Sequence, residues 1–244
     1  MIRSHDSVFA VFNDFGVTFM IRVLPFLLLA SPAFAQTFHL PAGCEAYLTV
    51  QGKGCYVSHH FTCENDPAGL QRRVSMGEEG LFYAGAIDAE TQWIESYHIG
   101  TDHVEELEQS PVDPANMTEL MDTEIDTYDF RTHSAEIGTT RYVGRDTLTG
   151  QTVEIDGIQL FETTYDIRAY DQSGNELWHS VGREFISPQW RMFLSGIGRT
   201  SVGADSWETD ETPVEFIFPG EPGFLSSNPK YDCGVMMSKL EISQ

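Results

Sequence analysis

Four groupings of side chains in this sequence carry residue types that do chemistry. Glu162 and Glu184 fall opposite each other if residues 158–170 and 176–187 pair as antiparallel strands. Like charges at that separation repel, so one of the two would keep its proton and act as an acid. That pairing would suit a hydrolase with acidic catalytic residues. Arg191, a diagonal neighbour of Glu184 in the same reading, would instead relieve the repulsion. His59-His60-x-x-Cys63 is the most metal-like cluster. Adjacent strand residues point to opposite faces, however, and zinc needs three or four convergent ligands. The expectation there is one buried and one exposed histidine, and no metal. Asp122-x-Glu124-x-Asp126 begins like a calcium loop but lacks the glycine and the closing glutamate of an EF-hand. It reads as an acidic, solvated segment. His179 and Arg183 are polar residues on an otherwise apolar strand face, where they would either orient a ligand in the mouth of a curved sheet or sit at its rim with their stems buried.

The elements that must position these residues lie mostly between 158 and 199. The segment Asp171-Gln172-Ser173-Gly174-Asn175 is rich in turn formers. Pairing Tyr170 with Glu176 across it sets the register. Ala169 then faces Leu177, Ile167 faces His179, Tyr165 faces Val181, Thr163 faces Arg183 and Phe161 faces Phe185. Side chains alternate along a strand, so these pairs share one mostly apolar face. Ser187-Pro188-Gln189-Trp190 is a second turn, with proline where its fixed φ suits position i+1. It would put Met192 opposite Phe185 and Leu194 opposite Arg183. The candidate ligand-binding residues are therefore Phe161, Tyr165, His179, Val181, Arg183 and Leu194.

Elsewhere, residues 44–50 and 55–63 read as a hairpin around Gln51-Gly52-Lys53-Gly54, and 72–75 and 81–87 as another. Residues 91–99 continue as a strand; Glu90 beside it and Gln92 and His98 on it could form a site, with ordinary solvent-facing groups as the default reading. Asp113 and Pro114 look like the N-cap and first turn of one helix, with Met117, Leu120 and Met121 at helical spacing for packing on the sheet. Residues 139–144 and 152–155 are short strands, 200–211 is a polar acidic loop, and 214–218 is a last short strand. The fold class is mainly β: a curved antiparallel sheet or half-barrel meander with one short helix packed on it.

Residues 1–35 have the parts of an export signal, with Met20 as the expected true start. Arg22 precedes the apolar run 23–30, and Ala33-Phe34-Ala35 forms an A-x-A cleavage site before Gln36. Residues 36–244 then form a single β-rich domain of 244 − 35 = 209 residues. The leader holds Arg3, Arg22, Asp6 and Asp14, which cancel, so the whole net charge of −23 stays with the domain. That charge repels phosphate backbones and anionic lipid, which argues against nucleic-acid binding. No later run is long and apolar enough for stable membrane insertion as a helix. Four cysteines in an exported chain predict two disulfides. Cys44–Cys63 with Cys55–Cys233 and Cys44–Cys55 with Cys63–Cys233 both fit, and either ties the C-terminus to the first hairpin.

The chain lacks G-x-S-x-G, a P-loop and a dinucleotide fingerprint, and no cofactor is expected. The cadence from Tyr142-Val143-Gly144 through Glu154-x-Asp156-Gly157 to Phe193 resembles the meander of periplasmic lipoprotein-carrier-like half-barrels. The resemblance covers 139–199, is one of pattern rather than motif, and carries over no functional residue. It implies a sheet partly closed by a helix, around a cavity for acyl chains. The resulting expectation is a periplasmic or secreted protein that binds an apolar small molecule, an acyl chain or an envelope protein, without catalysis. The alternatives are the acidic hydrolase and a structural envelope component.

Overall fold

The computed structural model describes residues 36–234. The leader expected over 1–35 lies outside the described residues. The described chain is mainly β, with thirteen strands in one antiparallel sheet. In chain order they are β1 (Cys44–Gly52), β2 (Tyr56–Cys63), β3 (Gln71–Gly77), β4 (Gly80–Ile87), β5 (Trp93–His98), β6 (His103–Leu107), β7 (Ile125–Ser134), β8 (Gly138–Ile155), β9 (Ile158–Tyr170), β10 (Glu176–Ser187), β11 (Met192–Val202), β12 (Asp205–Asp210) and β13 (Pro213–Ile217). The short helix α1 (Met117–Thr123) sits between β6 and β7.

Strands β1 to β12 follow each other as a meander, and β13 returns to pair with β1. The two edge strands are therefore β12 and β13, which are joined by only Glu211 and Thr212. A link that short spans roughly 10 Å at most, so the sheet has to curl until its edges meet. No ladder closes it. Side-chain contacts cross the seam: Lys53 Nζ, just past β1, reaches Asp210 of β12 at 2.9 Å, and Tyr56 Oη of β2 donates to Glu211 O at 3.0 Å.

At the end of the sheet where β9, β10 and β11 meet, both faces are covered. Leu160, Phe185, Met192 and Leu194 pack on Leu48, Val50 and Phe216. Ile186, with the partly buried Phe161 and Phe193, packs on Met117 and Leu120 of α1. The helix thus seats its Met/Leu stripe on the sheet, as its spacing predicts. Its cap is different from the one expected. Asn116 is the N-cap and accepts from Glu119 N–H at 3.0 Å. Asp113 is held instead in a backbone bridge to Asp129, and its carboxylate takes the Thr127 hydroxyl.

Two disulfides join Cys44 to Cys63 and Cys55 to Cys233, one of the two connectivities left open by the sequence. Such bonds fit an oxidising compartment. Closing the 178-residue separation of Cys55–Cys233 is worth about 5 kcal/mol in the chain-entropy model. It anchors a C-terminal strap across β1 and β2. Leu225 N–H donates to Thr49 Oγ1, while Gln51 donates to Asn228 O and accepts from Lys230 N–H. The strap corrects the expectation for His59 and His60, because both are buried. His59 stacks on Phe38 at 5.2 Å under the strap, and His60 faces the other way. Burial lowers His59 to about 4 and His60 to about 3.

Three further segments differ from expectation. Residues 205–210 form edge strand β12 rather than a loop; its side chains are nearly all exposed, so it carries no apolar alternation. The β10–β11 turn is two residues longer than expected, pairing Ser187 with Met192 and Phe185 with Leu194. The two short strands expected over 139–155 are one strand, β8, irregular between Leu148 and Thr152.

Candidate functional site

The register of β7 to β11 builds a wall of aromatic side chains in rows. Phe130 pairs with Tyr142, Tyr142 with Ala169, and Ala169 with Trp178. The next row runs Tyr128, Gly144, Ile167, Ser180, Thr200, and the one after it Asp126, Asp146, Tyr165, Gly182, Gly198. The glycines make room for the rings. A Cβ on Gly144 would lie 2.5 Å from the Tyr128 ring, and one on Gly198 would lie 2.2 Å from the Tyr165 hydroxyl. Trp93 on β5 meets Phe130 and Tyr142 edge-on at 5.6 and 5.2 Å.

This wall bounds a cavity of about 480 Å³, lined by Trp93, Tyr128, Phe130, Tyr165, Ile167, Trp178 and Phe193, with Val202 and Trp207 exposed at the free edge of the sheet. A second cavity of about 610 Å³ adjoins it, because Thr91, Trp93, Trp178, Glu184 and Phe193 line both. The curled sheet therefore both receives the helix and encloses a space; Phe161 and Ile186 meet α1, while Tyr165 and Ile167 face the cavity.

Two carboxylates face that space. Asp146 is only 7% exposed, and burial with the charge of Asp126 pushes it up to about 7. Asp126 stands directly opposite it in the β7–β8 ladder and is itself raised to about 6, mainly by burial. Glu184 lines both cavities and is raised well above the carboxylate range by burial and by Asp146, against a smaller opposing pull from Arg73. Its moderate exposed area and its deep position agree once that area is seen to open onto the cavity. Acids held neutral near pH 7 can donate hydrogen bonds inside an apolar site.

The second cavity has a polar corner. His98 and His103 face each other across the β5–β6 ladder, and Glu105 is two residues further along β6 on the same face. His98 Nε2 is 3.3 Å and His103 Nε2 3.9 Å from Glu105 Oε2. The other carboxylate oxygen accepts from Thr132 Oγ1 at 2.8 Å and from Tyr142 Oη at 2.9 Å. Burial pushes Glu105 upward, but hydrogen bonds from His98, Thr132 and Tyr142 outweigh it and leave the carboxyl below its ordinary value. The sequence signal for this corner was two histidines flanking Ile99-Gly100-Thr101-Asp102 with a glutamate two positions on. It passes unnoticed when 104–109 is read only as acidic.

The six candidate binding residues do not share one face. Tyr165 lines the first cavity and Phe161 packs toward α1. Leu194 belongs to the core with Phe185 and Leu48. His179 pairs with Asp166 at 2.8 Å, and Arg183 reaches Glu162 at 3.4 Å. Val181 stands opposite Asp166. The cause is a single irregularity. Glu176 pairs with Tyr170 as expected, but Trp178, not Leu177, pairs with Ala169. One extra residue moves every following side chain of β10 to the other face. The same slip separates Glu162 from Glu184, which face Phe185 and Thr163 respectively. Arg191, expected beside Glu184, binds Glu90 at 2.8 Å and Ala89 O at 2.7 Å. Of the calcium-like triplet, Asp122 lies in α1, Glu124 is its C-cap and Asp126 is buried in β7. Protein-family models, curated proteins and solved structures contain no match to this chain.

Proposed function

We propose that this protein is a periplasmic or secreted binding protein that takes an apolar small molecule into the interior of its curled sheet. The observation that carries the reading is the aromatic-lined cavity of about 480 Å³, adjoined by a second of about 610 Å³. Ligand sites are commonly of this size, apolar in lining, with a few convergent polar groups. Here the polar groups are Asp146, Glu184, Ser180, Thr91 and Thr200. Exposed Val202 and Trp207 give an apolar rim at the free edge by which a ligand enters. An acyl chain is the ligand class that the resemblance to lipoprotein-carrier-like half-barrels implies. Native mass spectrometry of protein purified from its own envelope fraction tests the reading. A discrete adduct of an apolar small molecule is expected; a bare chain as the sole species would count against it.

A second reading, acid-catalysed hydrolysis, rests on one observation. Asp146 and Glu184 are two carboxyls with raised pKa in one cavity. It now concerns this pair rather than Glu162 and Glu184. Turnover of any ester or glycoside that survives Glu184→Gln would dismiss it.

A further inference from the structure

We propose that His98, His103 and Glu105 form a three-ligand site for a divalent transition-metal ion of the zinc class, with its open position toward the second cavity. Each residue supplies one ligand atom, and all three atoms lie within 4.8 Å of one another. Ligands about 2.0 Å from a tetrahedral zinc are about 3.3 Å apart. The His98–Glu105 separation is 3.3 Å, and the His103–Glu105 separation of 3.9 Å closes with a small shift.

The surroundings hold the ligand atoms as a metal site requires. His103 Nδ1 is 2.9 Å from Thr101 Oγ1, which leaves Nε2 as the ligating nitrogen. The Glu105 oxygen that faces away from the histidines is fixed by Thr132 and Tyr142. Partners of this kind orient ligands and raise affinity. Two imidazoles and a carboxylate suit zinc or cobalt better than calcium or magnesium, which prefer all-oxygen sites. One movement is needed. The two rings are stacked, with centroids 4.6 Å apart and planes at 15°, so a single ion cannot lie in both planes. His98, whose side chain is 39% exposed, is the ring that would turn out of the stack. The other candidate cluster, Cys55, Cys233 and Glu78, has no thiolate to offer because its cysteines are joined.

Three protein ligands with an open fourth position are the arrangement of a site that also takes water or a small-molecule donor. The cavity wall next to it is where such a donor would arrive. The test is calorimetric titration of the untagged full chain with Zn²⁺, together with visible absorption on adding Co²⁺. One ion per chain and cobalt bands of a four-coordinate site are expected. His98→Ala, at the most exposed of the three ligands, should keep the fold, weaken Zn²⁺ binding by at least about 100-fold and abolish the cobalt bands. Zn²⁺ should raise the melting temperature of the parent and not of the variant. Absence of stoichiometric binding, or equal binding by His98→Ala, would overturn the proposal; His103→Ala read in the same way gives an independent second answer.

Discussion

Replacing Asp146 by Asn removes a charge from the wall of the cavity while keeping the shape of the side chain. Asp146 rises from an ordinary 3.8 to about 7 in the folded chain. A carboxyl raised in this way keeps its proton longer folded than unfolded. It therefore subtracts stability as pH climbs through the window between the two values, from about pH 4 to about pH 7. A rise of roughly three pH units at about 1.4 kcal/mol each sets a ceiling near 4 kcal/mol. Asp146 borders the cavity rather than solid protein, which lowers that figure, so Asp146→Asn should gain about 2–4 kcal/mol over the parent at pH 8 and almost nothing at pH 4. Glu184 also loses a repulsive neighbour in the variant. Urea unfolding followed by tryptophan fluorescence at several values between pH 4 and pH 8 measures it. The net charge of −23 also erodes the stability of both proteins as pH rises, so the informative quantity is the difference between them. Parallel curves for parent and variant, or a variant less stable at pH 8, would refute the reasoning.

Two other outcomes follow from the packing. Breaking the long disulfide with Cys55→Ser and Cys233→Ser should cost up to about 5 kcal/mol; it should also release the strap and bring the His59 pKa, now about 4, back toward its ordinary value in NMR titration. Leu120→Ala empties a fully buried position between α1 and Ile186, so unfolding curves should show a loss of about 2–5 kcal/mol.

Much of the architecture was legible because it rests on local rules. Turn residues at 171–175 placed the β9–β10 hairpin, the Met117/Leu120 spacing placed the helix stripe, and the cysteine positions limited the disulfides to two close alternatives. The site was less legible because it depends on single-residue irregularities. An extra residue at Leu177 moved His179, Val181 and Arg183 off the cavity and put Trp178, Ser180 and Glu184 on it. Nothing in a strand's alternation announces such a bulge, since Trp178 and His179 are both acceptable on either face. Likewise, β12 is an exposed charged edge, and its composition matches a loop. The pairing of Asp146 with Glu184 joins strands β8 and β10 across β9, a separation that no local pattern reports.

The central claim is that the interior of the sheet admits an apolar molecule. Titration with the neutral fluorescent probe N-phenyl-1-naphthylamine tests it most directly. The account predicts saturable, one-to-one uptake with energy transfer from the cavity tryptophans Trp93 and Trp178, and loss of uptake in Thr200→Phe, which fills the space beside Ser180 while the protein stays folded. No uptake by the parent, or uptake unchanged in a folded Thr200→Phe, would contradict it.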